Sequence, residues 1–175
     1  MACAITSGYT IDCRENIGGL SAVYLAEFGN ISGVTEVSGL VTGITKVAGK
    51  RFYKFEVPRA TANTSSNATA SEENGSVFYT HQVVFPLNKR DSTTANIVRT
   101  LAKNKLMVVT LDMDGNYRMY GKGKGLYLAT TESGSGTAAG DRNGYNITLS
   151  GIEVDDFLQV SATVGAALET ADNFI

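Results

Sequence analysis

The chain has 175 residues, a formal net charge of −2 and only 18% charged residues, against about 25% in an average soluble domain. One domain of this length buries about 70% of its unfolded surface, so neither a metal nor a disulfide is needed for folding. The charge balance excludes the clustered Lys/Arg of a nucleic-acid footprint, and no stretch approaches the ~20 apolar residues of a membrane-spanning helix.

Few charges suit a protein that covers part of its surface with partners, although Ser, Thr, Asn and Gly supply polarity here without charge. Met1–Ile11 has neither a basic opening nor a long apolar core, so synthesis and assembly in the cytoplasm are expected. Cys3 and Cys13 read as small buried thiols, with a disulfide or half of a metal site as the alternatives. The Asn-x-Ser/Thr sites at Asn30, Asn63, Asn67, Asn74 and Asn146 reflect composition only.

The first fifteen residues predict a flexible N-terminus. Ser21–Phe28 reads SAVYLAEF, a strand with both faces covered. Gly33–Val47 predicts two short strands. Arg51–Val57, RFYKFEV, predicts an aromatic strand closed by Pro58. Residues 58–75 contain no apolar residue larger than Ala after Pro58 and predict a long polar loop. Ser76–Leu87 alternates over a length of roughly 35–40 Å if extended. Asp91–Asn104 is the clearest helix, with Asp91 or Ser92 as cap and Thr94, Ile97, Val98 and Leu101 as its buried stripe. Leu106–Asp112 is a strand, Asp114-Gly115 a hairpin turn, and Tyr117–Tyr120 the return. Leu126–Thr130 follows, then a polar loop over Thr131–Gly144. Tyr145–Val154 and Phe157–Val164 predict the last strands, and residues 165–175 a loose tail. Eight to ten strands and one helix predict a mainly β chain, a β-sandwich or closed barrel with one helix packed at its edge.

The chemical motifs fail on their own terms. Asp112-Met113-Asp114-Gly115-Asn116 opens like a calcium loop, but position 121 is Gly where a bidentate acid is required. Gly121-Lys122-Gly123-Lys124-Gly125 lacks the spacing of a phosphate cradle and precedes a strand. His81 is the sole histidine and lies within a hydrophobic strand, as a packed or interface residue does. Glu72-Glu73 and Asp155-Asp156 are adjacent acids, which a strand points to opposite faces. No enzymatic role and no cofactor are expected.

The segments CRENIGGLSAVYLAEF (Cys13–Phe28), FPLNKRD (Phe85–Asp91), IVRTLAKNKL (Ile97–Leu106) and DMDGNYRMYGKGKGLYL (Asp112–Leu128) resemble structural proteins of phages and prophages of the Bacteroides group. Together with the order strand, polar insert, strand, helix, strand, they resemble the phage tail tube family and its relatives in contractile injection systems. That resemblance implies one tail-tube-like domain over residues 1–175. It implies homo-oligomeric rings, six-fold as a rule, that stack into a channel through which DNA passes without specific binding. It implies a virion protein with other tail or connector proteins as partners. The loop at 58–75 would reach a neighbouring ring, which makes Asn63, Ser65, Ser66, Asn67, Glu72, Glu73, Lys89 and Arg90 the candidate contacts between subunits or rings. A capsid decoration or head–tail connector protein and a small-ligand β-barrel are the alternatives.

Overall fold

The computed structural model describes residues 8–10 and 16–170, with side chains to Leu168. Cys3, Cys13 and residues 171–175 lie outside the described residues, as does most of the expected N-terminal arm. Two open sheets pack as a β-sandwich, and neither closes into a barrel. The chain runs β1 (Leu20–Glu27), a 3-10 turn, β2 (Ile31–Val37), β3 (Leu40–Lys46), β4 (Tyr53–Glu56), β5 (Asn63–Ser71), β6 (Ser76–Asn88), α1 (Ser92–Lys103), β7 (Leu106–Asp112), β8 (Tyr117–Tyr120), β9 (Tyr127–Gly134), β10 (Gly144–Glu153), β11 (Leu158–Val160) and α2 (Ala162–Thr170).

The larger sheet has the order β2-β3-β11-β8-β7-β1-β4, and the smaller β5-β6-β10-β9. Between them, Val23 and Leu25 of β1, Val108 of β7, Val83 and Phe85 of β6, and Ile147 and Leu149 of β10 form one cluster. A second cluster covers the other face of β1 and β7. It joins Ala22, Tyr24, Met107 and Val109 to Val41, Phe52, Val160 and Leu168. Continuous apolar runs in β1 and β7 follow from this double burial, since neither face meets water.

Four sequence expectations are corrected. Half of the polar loop expected at 58–75 is strand: β5 pairs with β6 from Asn63↔Val84 to Ser71↔Ser76. Its small polar residues make no apolar pattern because β5 is an edge whose partner supplies the ladder. Residues 165–175 are no loose tail up to Thr170, because α2 seats Leu168 in the second cluster. Gly165 lies against the Tyr117 ring, where a Cβ would come within 2.3 Å. There are therefore two helices among the described residues instead of one. The last strand stops at Val160, because Ser161 opens α2 by accepting the Gly165 N–H on its carbonyl.

α1 has the expected cap, with Asp91 Oδ1 accepting the Thr94 N–H at 2.7 Å. Its stripe is only half used. Leu101 is buried and Val98 packs on the first cluster, but Ile97 stays 37% exposed.

Candidate functional site

The smaller sheet has one face in the core and one outward. Register assigns the sides, because residues directly paired across strands share a face. Pairing of Asn63↔Val84, Ser65↔Gln82 and Asn67↔Thr80 puts these on the face opposite Val83 and Phe85. On the other side of β6, Asn146↔Pro86, Thr148↔Val84 and Ser150↔Gln82 extend the same face, and Thr130 and Glu132 on β9 complete it. This outward surface carries Asn, Ser, Thr and Gln together with Val84, Pro86, Tyr127 and Ile152, of which Tyr127 and Ile152 are more than half exposed, and Glu132 is its one charge among these positions. β5 and β9 are the sheet margins, each hydrogen-bonded on one side only.

The eight expected contact residues fall into four places. Asn63, Ser65 and Asn67 lie on the outward face. Ser66 turns inward and its hydroxyl hydrogen-bonds Asp156. Glu72 and Glu73 sit in the turn joining β5 to β6, while Lys89 and Arg90 follow the far end of β6. Thirteen residues of strand separate these two ends by roughly 40 Å, so one chain does not bring them together. Lys89 holds φ at 94°, a conformation that costs a non-glycine residue about 1–3 kcal/mol.

The strand β6 outruns its neighbour. β10 pairs with it only as far as Glu153↔Tyr79. Ser76, Val77 and Phe78 are paired to β5 alone, leaving about 10 Å of two-stranded ribbon beyond the sandwich. Val77 is 57% exposed there.

At the opposite end, between β4 and α1, lies a groove of about 1050 Å³. Leu25, Phe55, Leu87, Leu101 and Leu106 line it, and Thr93, Asn96 and Ile97 of α1 form one wall. β4 is the margin of its sheet and borders this groove.

A smaller cavity of about 320 Å³ lies under the base of the ribbon, lined by His81, Met119, Lys122, Glu153, Asp156 and Leu158. His81 is 1% exposed and neither ring nitrogen has a hydrogen-bond partner. Its Nε2 stands 3.8 Å from Asp156 Oδ1, and the ring meets Tyr120 edge-on at 5.4 Å. Burial pushes the imidazole pKa down, against the opposing pull of the Asp156 and Glu153 charges. Burial likewise raises the Tyr120 phenol, whose hydroxyl donates to Thr64 Oγ1 at 3.0 Å. Tertiary contact alone assembles this corner, and no local sequence signal announces it.

The motifs weighed earlier take structural roles. The Gly121–Gly125 loop is a nest for an anion, but the anion is internal: Glu153 Oε1 accepts the N–H groups of Lys124 at 2.7 Å and Gly125 at 3.0 Å. A Cβ at Gly123 would meet Glu153 Oε2 at 2.7 Å. Asp112 pairs with Arg118, and Asp114 Oδ1 accepts the Ile17 N–H at 2.8 Å, so the acids of the calcium-like stretch serve the β7–β8 hairpin. Among the described residues no three His, Cys, Asp or Glu side chains converge as metal ligands, and no helix is long and apolar enough to cross a membrane.

Comparison with protein-family models, curated proteins and solved structures finds no match.

Proposed function

We propose that this chain is a structural subunit that joins copies of itself side by side into rings, which stack into a tube for DNA passage. One observation carries the reading: the β5-β6-β10-β9 sheet offers two margins unpaired among the described residues and an outward face, polar with a few apolar side chains, that carries no cation. Free edges invite strand pairing with another chain, and closure around a ring removes them. A polar surface with almost no cations lets a polyanion slide, whereas a basic lining would hold phosphate.

The dimensions suit the reading. Six copies, the number implied by the tail-tube resemblance, would set roughly 24 such strands around a bore. At about 4.8 Å between strands and a tilt of about 40°, the backbone diameter is about 48 Å. At the same tilt, β6, roughly 40 Å long, would set a rise of about 30 Å per ring. The tail-tube resemblance also implies a virion protein, assembled in the host cytoplasm.

The test is negative-stain microscopy with sedimentation of the full chain over rising concentration. Rings or tubes about 80–100 Å wide are expected for domains roughly 30 Å across. A protein that stays monomeric at high concentration sinks the proposal. A second test uses Gln82→Lys with Ser150→Lys, both on the outward face. Assembled variant tubes are expected to retain DNA at low salt and release it at high salt, while wild-type tubes retain none.

A further inference from the structure

We propose that Asn74, in the turn joining β5 to β6, is a site of self-modification: its side-chain amide condenses with the backbone nitrogen of Gly75 and becomes aspartate or isoaspartate. A chain that forms no ring carries the same turn, so the site is independent of assembly. Glycine follows Asn or Asp at three places, Asn74-Gly75, Asp114-Gly115 and Asn143-Gly144. Lacking a side chain, glycine lets another group approach its backbone closely, so all three have the sequence the reaction needs. The fold treats them differently.

At Asn74 both reacting groups are loosely held. The Gly75 N–H reaches the Glu72 carbonyl at 3.4 Å, beyond the roughly 2.7–3.2 Å of a firm bond. The Asn74 side-chain amide donates to Ser71 Oγ at 3.3 Å, and its backbone N–H reaches the same oxygen at 3.4 Å. Both residues are exposed. A Cβ at Gly75 would meet nothing within 4 Å beyond its chain neighbours. By contrast, Gly144 is buried and paired on both sides, with Asn88 and with Gly134. A Cβ there would meet the Leu87 carbonyl oxygen at 2.2 Å, and the Asn143 carbonyl accepts the Lys89 N–H at 2.8 Å. Asp114 offers a carboxylate, which resists a nucleophile, and it accepts the Ile17 N–H at 2.8 Å. Reaction at a packed amide needs the strand to open first. Opening costs almost nothing at a frayed turn and up to the full stability in a core strand. That difference selects Asn74.

The chemistry needs only water. The Gly75 nitrogen gives its proton to solvent base and bonds to Asn74 Cγ. The Cγ–Nδ2 bond breaks, and Nδ2 takes a proton and leaves as ammonia. A cyclic imide remains in the main chain. Water opens it at either carbonyl, giving aspartate or isoaspartate, the latter with one more carbon in the main chain. The sum is asparagine plus water to aspartate or isoaspartate plus ammonia, with no oxidation. Either product sets a third carboxylate beside Glu72 and Glu73, in a stretch, residues 60–80, that holds no Lys or Arg. The longer main chain also disturbs the closing pair Ser71↔Ser76. The β6–β10 ladder begins at Tyr79 and is untouched.

The test incubates the full chain in mildly alkaline buffer and follows each site by peptide mass spectrometry, with an isoaspartyl methyltransferase marking isoaspartate. Conversion at Asn74 is expected to release ammonia in step and to run at least about tenfold faster than at Asn143. In the urea-unfolded chain the two sites should react at similar rates, because only the fold separates them. On anion exchange, the acidic species that accumulates in the wild type should be absent from Asn74→Gln and slowed in Gly75→Ala. An Asn74 that stays intact in the folded chain overturns the inference. So does Asn143 reacting as fast as Asn74 in the folded chain, or an acidic species that still accumulates at the wild-type rate in Asn74→Gln.

Discussion

The two sheets of this sandwich solve different problems. In the larger one, β1 and β7 are buried on both sides, with Val23, Tyr24, Val108 and Val109 all at 0% exposure. In the smaller one, β6 and β10 bury mainly alternate residues and turn Gln82, Thr148 and Ser150 outward. The first arrangement concentrates apolar burial, the main favourable term in folding. The second buries one face only and leaves the other face and two margins outward. Double burial and open margins thus fall to separate layers.

Substitutions can break or sharpen this division. The largest loss is expected from Phe52→Ala in the second cluster, at 0% exposure. It should cost about 3–5 kcal/mol of unfolding free energy in denaturant melts. A loss under 1 kcal/mol would mean that the far face of the larger sheet is not a true core. Leu101→Ala should cost about 2–5 kcal/mol, toward the lower end because the helix covers the first cluster on one side only. An unchanged midpoint would detach α1 from the sandwich.

A smaller effect comes from pH. The His81 pKa in the fold lies below its ordinary value of 6.5, so the unfolded chain takes up the proton first. Stability should therefore be full above about pH 6.5 and fall as pH drops below it. Thermal melts between pH 7.5 and 5 should show this fall in the wild type and lack it in His81→Gln. The Asp91 and Asp141 carboxyls are held low by backbone N–H groups, of Thr94 and of Ala138 and Thr137 respectively. Their contribution is present above about pH 4 and is lost only as pH falls through the acid range, so the two windows separate. The smallest effect is expected for Gln82→Ala on the outward face, within about 0.5 kcal/mol. A larger destabilisation would show that this face is part of the folding core.

Much of the strand layout was legible. The double burial of Ser21–Phe28, the hairpin at Asp114-Gly115 and the capped helix at Asp91 all follow from local pattern, because each is written in neighbouring residues. The stretch at 58–75 was not. Asn63–Ser71 carries no apolar alternation, and its strand character comes from β6 lying beside it. Of the candidate contacts, Glu72, Glu73, Lys89 and Arg90 could be named from sequence. Their separation by the length of one strand, and the groove between β4 and α1, required the fold. The His81 corner was equally hidden, since Asp156, Glu153 and Tyr120 reach it from distant elements.

By itself the chain's order of residues determined a β-rich molecule, most of its strands and the helix α1, because period, caps and turns act over a few residues. Only the tertiary structure decided which sheet each strand joined, which face met water and where a strand ended without a neighbour. Those are properties of pairs far apart in sequence, and their free energy exists only once the partners are brought together.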